Sequence, residues 1–173
     1  MTATIQQGLV VQPGAGRVIT GLGAQAKVPA EAFDGRLFIF EGTFPPGMFI
    51  PPHTHTREDE VTVVLSGELT IDIGGRITIA NAGAMAIKPR GVHHSMWNHT
   101  EAPTRVLEIH TPGLLEPYYD ALGELFAATD LGDSERETAI GQLHAQYGID
   151  YHPEFISEVV TEDGRRPQRM PRP

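Results

Sequence analysis

Between Arg36 and His110 the chain is cut into seven short runs by turn-forming residues, and no helical pattern stands between them. The runs are Arg36 to Phe44, Val61 to Leu65, Leu69 to Ile73, Arg76 to Ala80, Ala84 to Lys88, His93 to Asn98 and Arg105 to His110. Pro45-Pro46-Gly47, Ser66-Gly67, Gly74-Gly75, Asn81 to Gly83 and Pro89 to Gly91 punctuate them, residues that either fix φ or allow it to turn positive. Strands so short, with no helix to cross over, connect only to antiparallel neighbours, so the pattern predicts an antiparallel sandwich or barrel. Val61, Val63, Val64 and Leu65 are apolar at both parities, which predicts a strand covered on both faces.

After Thr111-Pro112-Gly113 the period changes. Leu115, Tyr118, Tyr119, Leu122, Leu125 and Phe126 recur at steps of three and four, the signature of one apolar helix face. A second helix is expected from Ser134, with Glu137 three residues on as a capping box, to Gly148 as its stop, burying Ile140, Leu143 and Tyr147. Both should pack on the barrel or across a dimer contact. The chain of 173 residues reads as one domain. Residues 1–35 form an arm with the first strands, 36–112 the barrel core and 113–160 the helices. A disordered basic tail, rich in proline, is expected over 161–173.

Charge and composition then remove whole classes of function. The net charge is −9. With Arg165, Arg166, Arg169 and Arg172 confined to the last ten residues, the rest holds 9 basic against 22 acidic residues, the wrong sign for a nucleic-acid surface. Cysteine is absent, so any metal must sit on nitrogen and oxygen donors. Neither a secretory leader nor a long apolar span is visible, which gives the expectation of a cytoplasmic protein with no membrane partner.

The chemistry-bearing residues crowd the middle of the chain. His53 and His55 are separated by one residue, and on a strand such residues share a face, so both imidazoles can meet at one point. Glu60 stands at an odd step from His55 and can join them only if Thr56 to Asp59 turn the chain. Gly47 and Gly67 flank the group, giving G-x5-H-x-H-x4-E-x6-G, and Gly83, Pro89, Gly91, His94 and Asn98 give G-x5-P-x-G-x2-H-x3-N.

These two patterns, in this order, resemble the two motifs of the cupin superfamily, and the chain is similar to its single-domain members. The resemblance implies an all-β fold, a jelly-roll barrel of antiparallel strands with C-terminal helices added. It implies one divalent ion, Fe, Mn, Ni, Co or Zn, ligated by His53, His55, Glu60 and His94. His93 competes for the fourth position, but adjacent strand residues face opposite ways and the motif spacing selects His94. Asn98 is expected to bond backbone, while His93, His99 and His110 are read as surface or satisfied core histidines.

The layout further resembles small bacterial quercetinase-like dioxygenases. That implies a small-molecule substrate with dioxygen, and Glu60 doubling as the catalytic base. A redox-neutral cyclase, isomerase or lyase and a non-catalytic binding cupin are the alternatives. By parity Phe49 and Met96 should line the substrate pocket, with Phe38 and Phe40 from the first strand. Such a lining favours an aromatic molecule over oxalate or a sugar phosphate, which would want an inward Arg or Lys. Exposed sheet edges and an apolar helix face lead us to expect a homodimer.

Overall fold

The computed structural model describes residues 8–157, so the basic tail expected over 161–173 lies outside the described residues. Eleven strands are found among the described residues: β1 (Arg17–Ile19), β2 (Ala24–Val28), β3 (Phe38–Phe44), β4 (Phe49–His55), β5 (Asp59–Ser66), β6 (Glu68–Ile73), β7 (Arg76–Asn81), β8 (Met85–Lys88), β9 (His94–Trp97), β10 (Thr104–Thr111) and β11 (Ile149–Tyr151). They form two antiparallel sheets, β1-β2-β3-β10-β5-β8 and β11-β4-β9-β6-β7, and consecutive strands repeatedly cross between sheets, as in a jelly roll. The turn chemistry is that expected. Gly74 and Gly75, both at positive φ (61° and 83°), make the two-residue hairpin that sets Ile73 opposite Arg76, a turn whose twist suits the flanking strands.

Cross-strand register decides what lies inside. In the first sheet, Phe38, His110, Glu60 and Lys88 stand side by side across β3, β10, β5 and β8. The next inward row is Phe40, Glu108, Thr62 and Ala86, and the one after holds Gly42, Val106 and Val64. Polar character therefore gathers at one end of the barrel. The other end is the apolar core of Phe44, Val64, Leu69, Ile71, Met96 and Val106.

Two helices, α1 (Glu116–Ala127) and α2 (Asp133–Tyr147), follow the barrel. α1 packs on the polar end: Leu115 and Tyr118 are buried with Ile149, and Tyr119 lies against Phe40 at a ring separation of 4.5 Å. α2 rests on α1 and contains no buried residue, with Leu143 and Tyr147 only partly covered. Its start is at Gly132 rather than Ser134. The Gly132 N–H donates to Glu135 Oε2 at 3.1 Å, so the acid three residues on is Glu135, and the cap arrives two residues early. Its stop is Gly148, as expected, at φ 71°.

After α2 the chain first returns to the sheet and then makes a short 3-10 turn over Pro153–Ser157. β11 turns back and pairs with β4, placing Ile149 opposite His55 and Tyr151 opposite His53. β1, β2 and β11 are each too short to show a period of their own. No helix among the described residues is long and apolar enough to cross a membrane.

Candidate metal centre

β4 carries His53 and His55, β5 begins with Asp59 and Glu60, and β9 begins with His94. The link between β4 and β5 is the turn that the odd spacing demanded: Thr56 and Arg57 are exposed, and Asp59 is anchored by Arg90 at 2.6 Å. β9 lies directly beside β4, with His53 opposite His94. Glu60 comes from the facing sheet. Ligand atoms of His53, His55, Glu60 and His94 all lie within 4.8 Å of one another.

The separations are those of donors around one small ion. His53 Nε2 is 3.2 Å from His55 Nε2, and Glu60 Oε2 is 3.2 Å from His55 Nε2 and 3.0 Å from His94 Nε2. Donors about 2 Å from a metal sit about 3 Å apart when adjacent. The chemistry of these atoms agrees. His53 Nδ1 donates to the Pro51 carbonyl at 2.8 Å and His94 Nδ1 to the Val92 carbonyl at 3.1 Å. A carbonyl only accepts, so each Nδ1 carries the proton and each Nε2 presents a lone pair. Burial, aided by the neighbouring histidines, holds His53 well below the ordinary imidazole value, and burial also lowers His94. Both are therefore neutral and able to ligate. Glu60 Oε2 and His94 Nε2 are buried without a hydrogen-bond partner. Lone pairs converging on one point without a proton between them are what a cation would satisfy, and a divalent ion fits this site.

Behind Glu60 lies a second layer that the sequence reading missed. Lys88 is 1% exposed, and its Nζ meets Glu60 Oε1 at 2.8 Å and Glu108 Oε2 at 3.4 Å. Burial opposes charge on Glu60, but the Lys88 ammonium outweighs it and keeps the carboxyl well below its usual range. Lys88 is in turn raised, because Glu108 and Glu60 overcome its desolvation. Glu108 goes the other way. Burial, reinforced by the Glu60 charge, pushes it up to about 8 despite Lys88, and Thr62 Oγ1 donates to it at 2.7 Å.

His110, expected to be an ordinary core or surface histidine, stands in the same inward row as Glu60, 4.0 Å away. Its Nε2 is 3.2 Å from Tyr119 Oη, and burial lowers it to about 3. Glu58 is fully buried with neither carboxylate oxygen hydrogen-bonded, and burial raises it.

The expected substrate pocket is rearranged. Phe38 and Phe40 stack on His110 and Tyr119 as core of the helix-covered end. Phe49 does not share the face of His53. Ile50 pairs with Met96 but His53 with His94, so three residues of β4 oppose two of β9 and the parity inverts across the bulge. The cause is Pro51-Pro52, which cannot donate to the ladder. Phe49 therefore packs on Trp97 and Ile77. Met96 does face inward, its sulfur 3.8 Å from Lys88 Nζ.

The remaining histidines keep away from the centre. His93 packs on Phe155 at 4.8 Å, and His99 contacts Thr70 at 2.9 Å and Glu68 at 3.4 Å. Asn98 bonds backbone as expected, donating to the Phe44 and Ala102 carbonyls, each at 2.8 Å.

Residues 40–110 match the cupin domain family, a span that contains all four candidate ligands. A germin-like protein of Arabidopsis thaliana, subfamily T member 2, is 35% identical over 69 residues, covering 37% of this chain and 31% of that protein. The chain thus spans about a third of the length of the curated relative it matches. Among solved structures, a predicted oxalate decarboxylase from Thermotoga maritima is 20% identical with a TM-score of 0.52, over 60% of this chain and 99% of that one. A Klebsiella pneumoniae protein with a double-stranded β-helix domain is 24% identical with a TM-score of 0.46, over 51% and 75%. At 20% identity the Thermotoga maritima likeness speaks to the fold alone. The two motifs, the jelly-roll sheets and the domain match agree on a cupin domain over residues 40–110.

Proposed function

We propose that this protein is a metal-dependent cupin enzyme, a dioxygenase acting on a small enolisable molecule. The observation that carries the reading is the convergence of the His53, His94 and Glu60 lone pairs, with His55 beside them, on one point inside the barrel. Three imidazoles and one carboxylate oxygen make a mixed site suited to Fe, Mn, Ni, Co or Zn, and an octahedral ion would have coordination positions left for substrate. A bound ion would polarise a substrate hydroxyl or carbonyl oxygen and, if redox-active, exchange electrons with dioxygen.

The chain's own groups divide the remaining work. Glu60 serves as ligand rather than base. One of its oxygens is held by Lys88, and a carboxyl kept well below its usual range takes up a proton poorly.

A redox-neutral cyclase, isomerase or lyase is the second reading, and one observation favours it. Glu108, held protonated up to about 8 in the row next to Glu60, is a proton donor that a dioxygenase does not require. Purified protein carrying its native metal should hold close to one ion per chain by elemental analysis, and His53→Ala, His94→Ala and Glu60→Gln should each lose most of it. Equal and negligible metal in all four would end the metal reading. Loaded protein incubated with a flavonol or a β-dicarbonyl compound should consume dissolved oxygen as substrate disappears; turnover without oxygen uptake selects the redox-neutral reading.

A further inference from the structure

The two oxygens of Glu60 have different partners. Oε2 faces His55 and His94 at 3.2 and 3.0 Å, whereas Oε1 receives the Lys88 ammonium at 2.8 Å. Lys88 has three hydrogens to give, and three acceptors surround it: Glu60 Oε1, Glu108 Oε2 at 3.4 Å and Met96 Sδ at 3.8 Å. None is left over to meet an anionic substrate, so a role as direct substrate anchor is ruled out. Nor is the lysine mobile. It projects from β8 with its Cα paired to Glu60 across the ladder, and it is 1% exposed.

From this geometry we propose that Lys88 is a positioning residue that restricts Glu60 to a single-oxygen ligand and thereby keeps two coordination positions open for substrates that bind through two oxygens. The proposal rests on the metal-site reading above. A carboxylate free of Lys88 can swing both oxygens onto a divalent ion. Three imidazoles and a chelating carboxylate then fill five positions of an octahedron and leave one, enough for a single donor atom only. With Oε1 held back, four positions are filled and two remain. The substrate class that follows carries paired oxygen donors on neighbouring or next-neighbouring carbons: a hydroxy-ketone, a β-diketone or a 2-oxo acid.

The test uses cobalt(II)-loaded protein, maltol as a two-oxygen probe and azide as a one-atom probe, with binding followed by the visible absorption of the ion. Wild type should bind maltol, and Lys88→Met should lose about tenfold or more of its maltol affinity relative to azide, because the second donor no longer gains from being tethered to the first. An unchanged maltol-to-azide ratio in a metal-loaded Lys88→Met protein overturns the proposal. Absence of cobalt from wild type overturns the metal-site reading instead, so the two failures are distinct. Should Lys88→Met not fold, the wild type decides alone. Metal-loaded minus metal-free infrared spectra should show the wide separation between antisymmetric and symmetric carboxylate stretches of a single-oxygen ligand, and a narrow, chelate-like separation refutes the role given to Lys88.

Discussion

Replacing Glu108 with Gln should remove a pH dependence from the stability of the metal-free protein, and its size follows from the buried row. In the native protein burial and the Glu60 charge push Glu108 up to about 8, against 4.5 for the ordinary group. Between those values the native state holds a proton that the unfolded chain gives up, so stability falls as pH rises and the loss is complete above about 8. Other site groups leave part of that window clear. Glu60 is lowered, so its contribution is already full above 4.5 and is lost only on acidification. His53, His94 and His110 are lowered from 6.5, which makes stability rise with pH until the unfolded imidazoles have lost their protons, about a pH unit above that value. Lys88 is raised from 10.5 and adds no slope below it. The histidine contribution is common to wild type and Glu108→Gln, so the difference between the two profiles isolates Glu108. At roughly 1.4 kcal/mol per pH unit for one proton, wild type should lose about 1.5 kcal/mol relative to the variant from pH 6.5 to 8. Gln keeps an acceptor for Thr62 and Lys88 but has no proton to lose. Urea denaturation in chelator at pH 6.5, 7.2 and 8 should show wild type falling relative to Glu108→Gln by that amount. Parallel profiles would refute the assignment of the raised carboxyl to Glu108.

Two further outcomes follow from other parts of the fold. Gly67 sits at φ +83°, and a Cβ there would lie 2.7 Å from Thr104 Oγ1 and 3.0 Å from Thr104 Cα, so Gly67→Ala should cost about 2 kcal/mol or more in urea midpoint measurements; an unchanged midpoint would show that the β5–β6 turn can relax. The outside of the first sheet presents an apolar face, where Ile39, Ile109, Val61 and Ile87 form one row and Glu41, Leu107, Val63 and Met85 the next. Met85 and Ile87 are each 68% exposed. Glu41, the only charge in these rows, is neutralised by Lys27 and Arg105, so two copies of net charge −9 can meet there without repulsion, and a patch of this kind marks an interface. We propose a second copy of this chain as its occupant. Light scattering should give the dimer mass for wild type and the monomer mass for Met85→Glu/Ile87→Glu, whereas a dimer in both would place the contact elsewhere.

How much of this was legible in the chain depends on which residues spoke through spacing and which through register. His53, His55 and His94 were found because parity along one strand, or one motif, suffices to place them. Glu60 needed only a turn, and polar Thr56 to Asp59 supplied it. Phe49 failed because parity holds only along an unbroken ladder, and Pro51-Pro52 inserts the extra residue that inverts it. Lys88 failed for a deeper reason. In Ala84 to Lys88 the apolar residues are Met85 and Ile87, and binary patterning would turn them inward and leave Lys88 in water. The structure does the reverse: Met85 and Ile87 face out at 68% exposure while Lys88 is 1% exposed. The inversion is stable because Glu60 lies opposite Lys88 across the ladder, with Glu108 in the neighbouring row. A buried ammonium is tolerable only where carboxylates already wait for it. Glu108 and His110 were hidden likewise, since β10 alternates Val106, Glu108 and His110 with Leu107 and Ile109 and its composition names no inside. A strand whose polar side faces inward can be recognised only once its neighbours are known, and in this chain the strands that break the pattern are β8 and β10, the two that carry Lys88, Glu108 and His110 to the candidate metal centre.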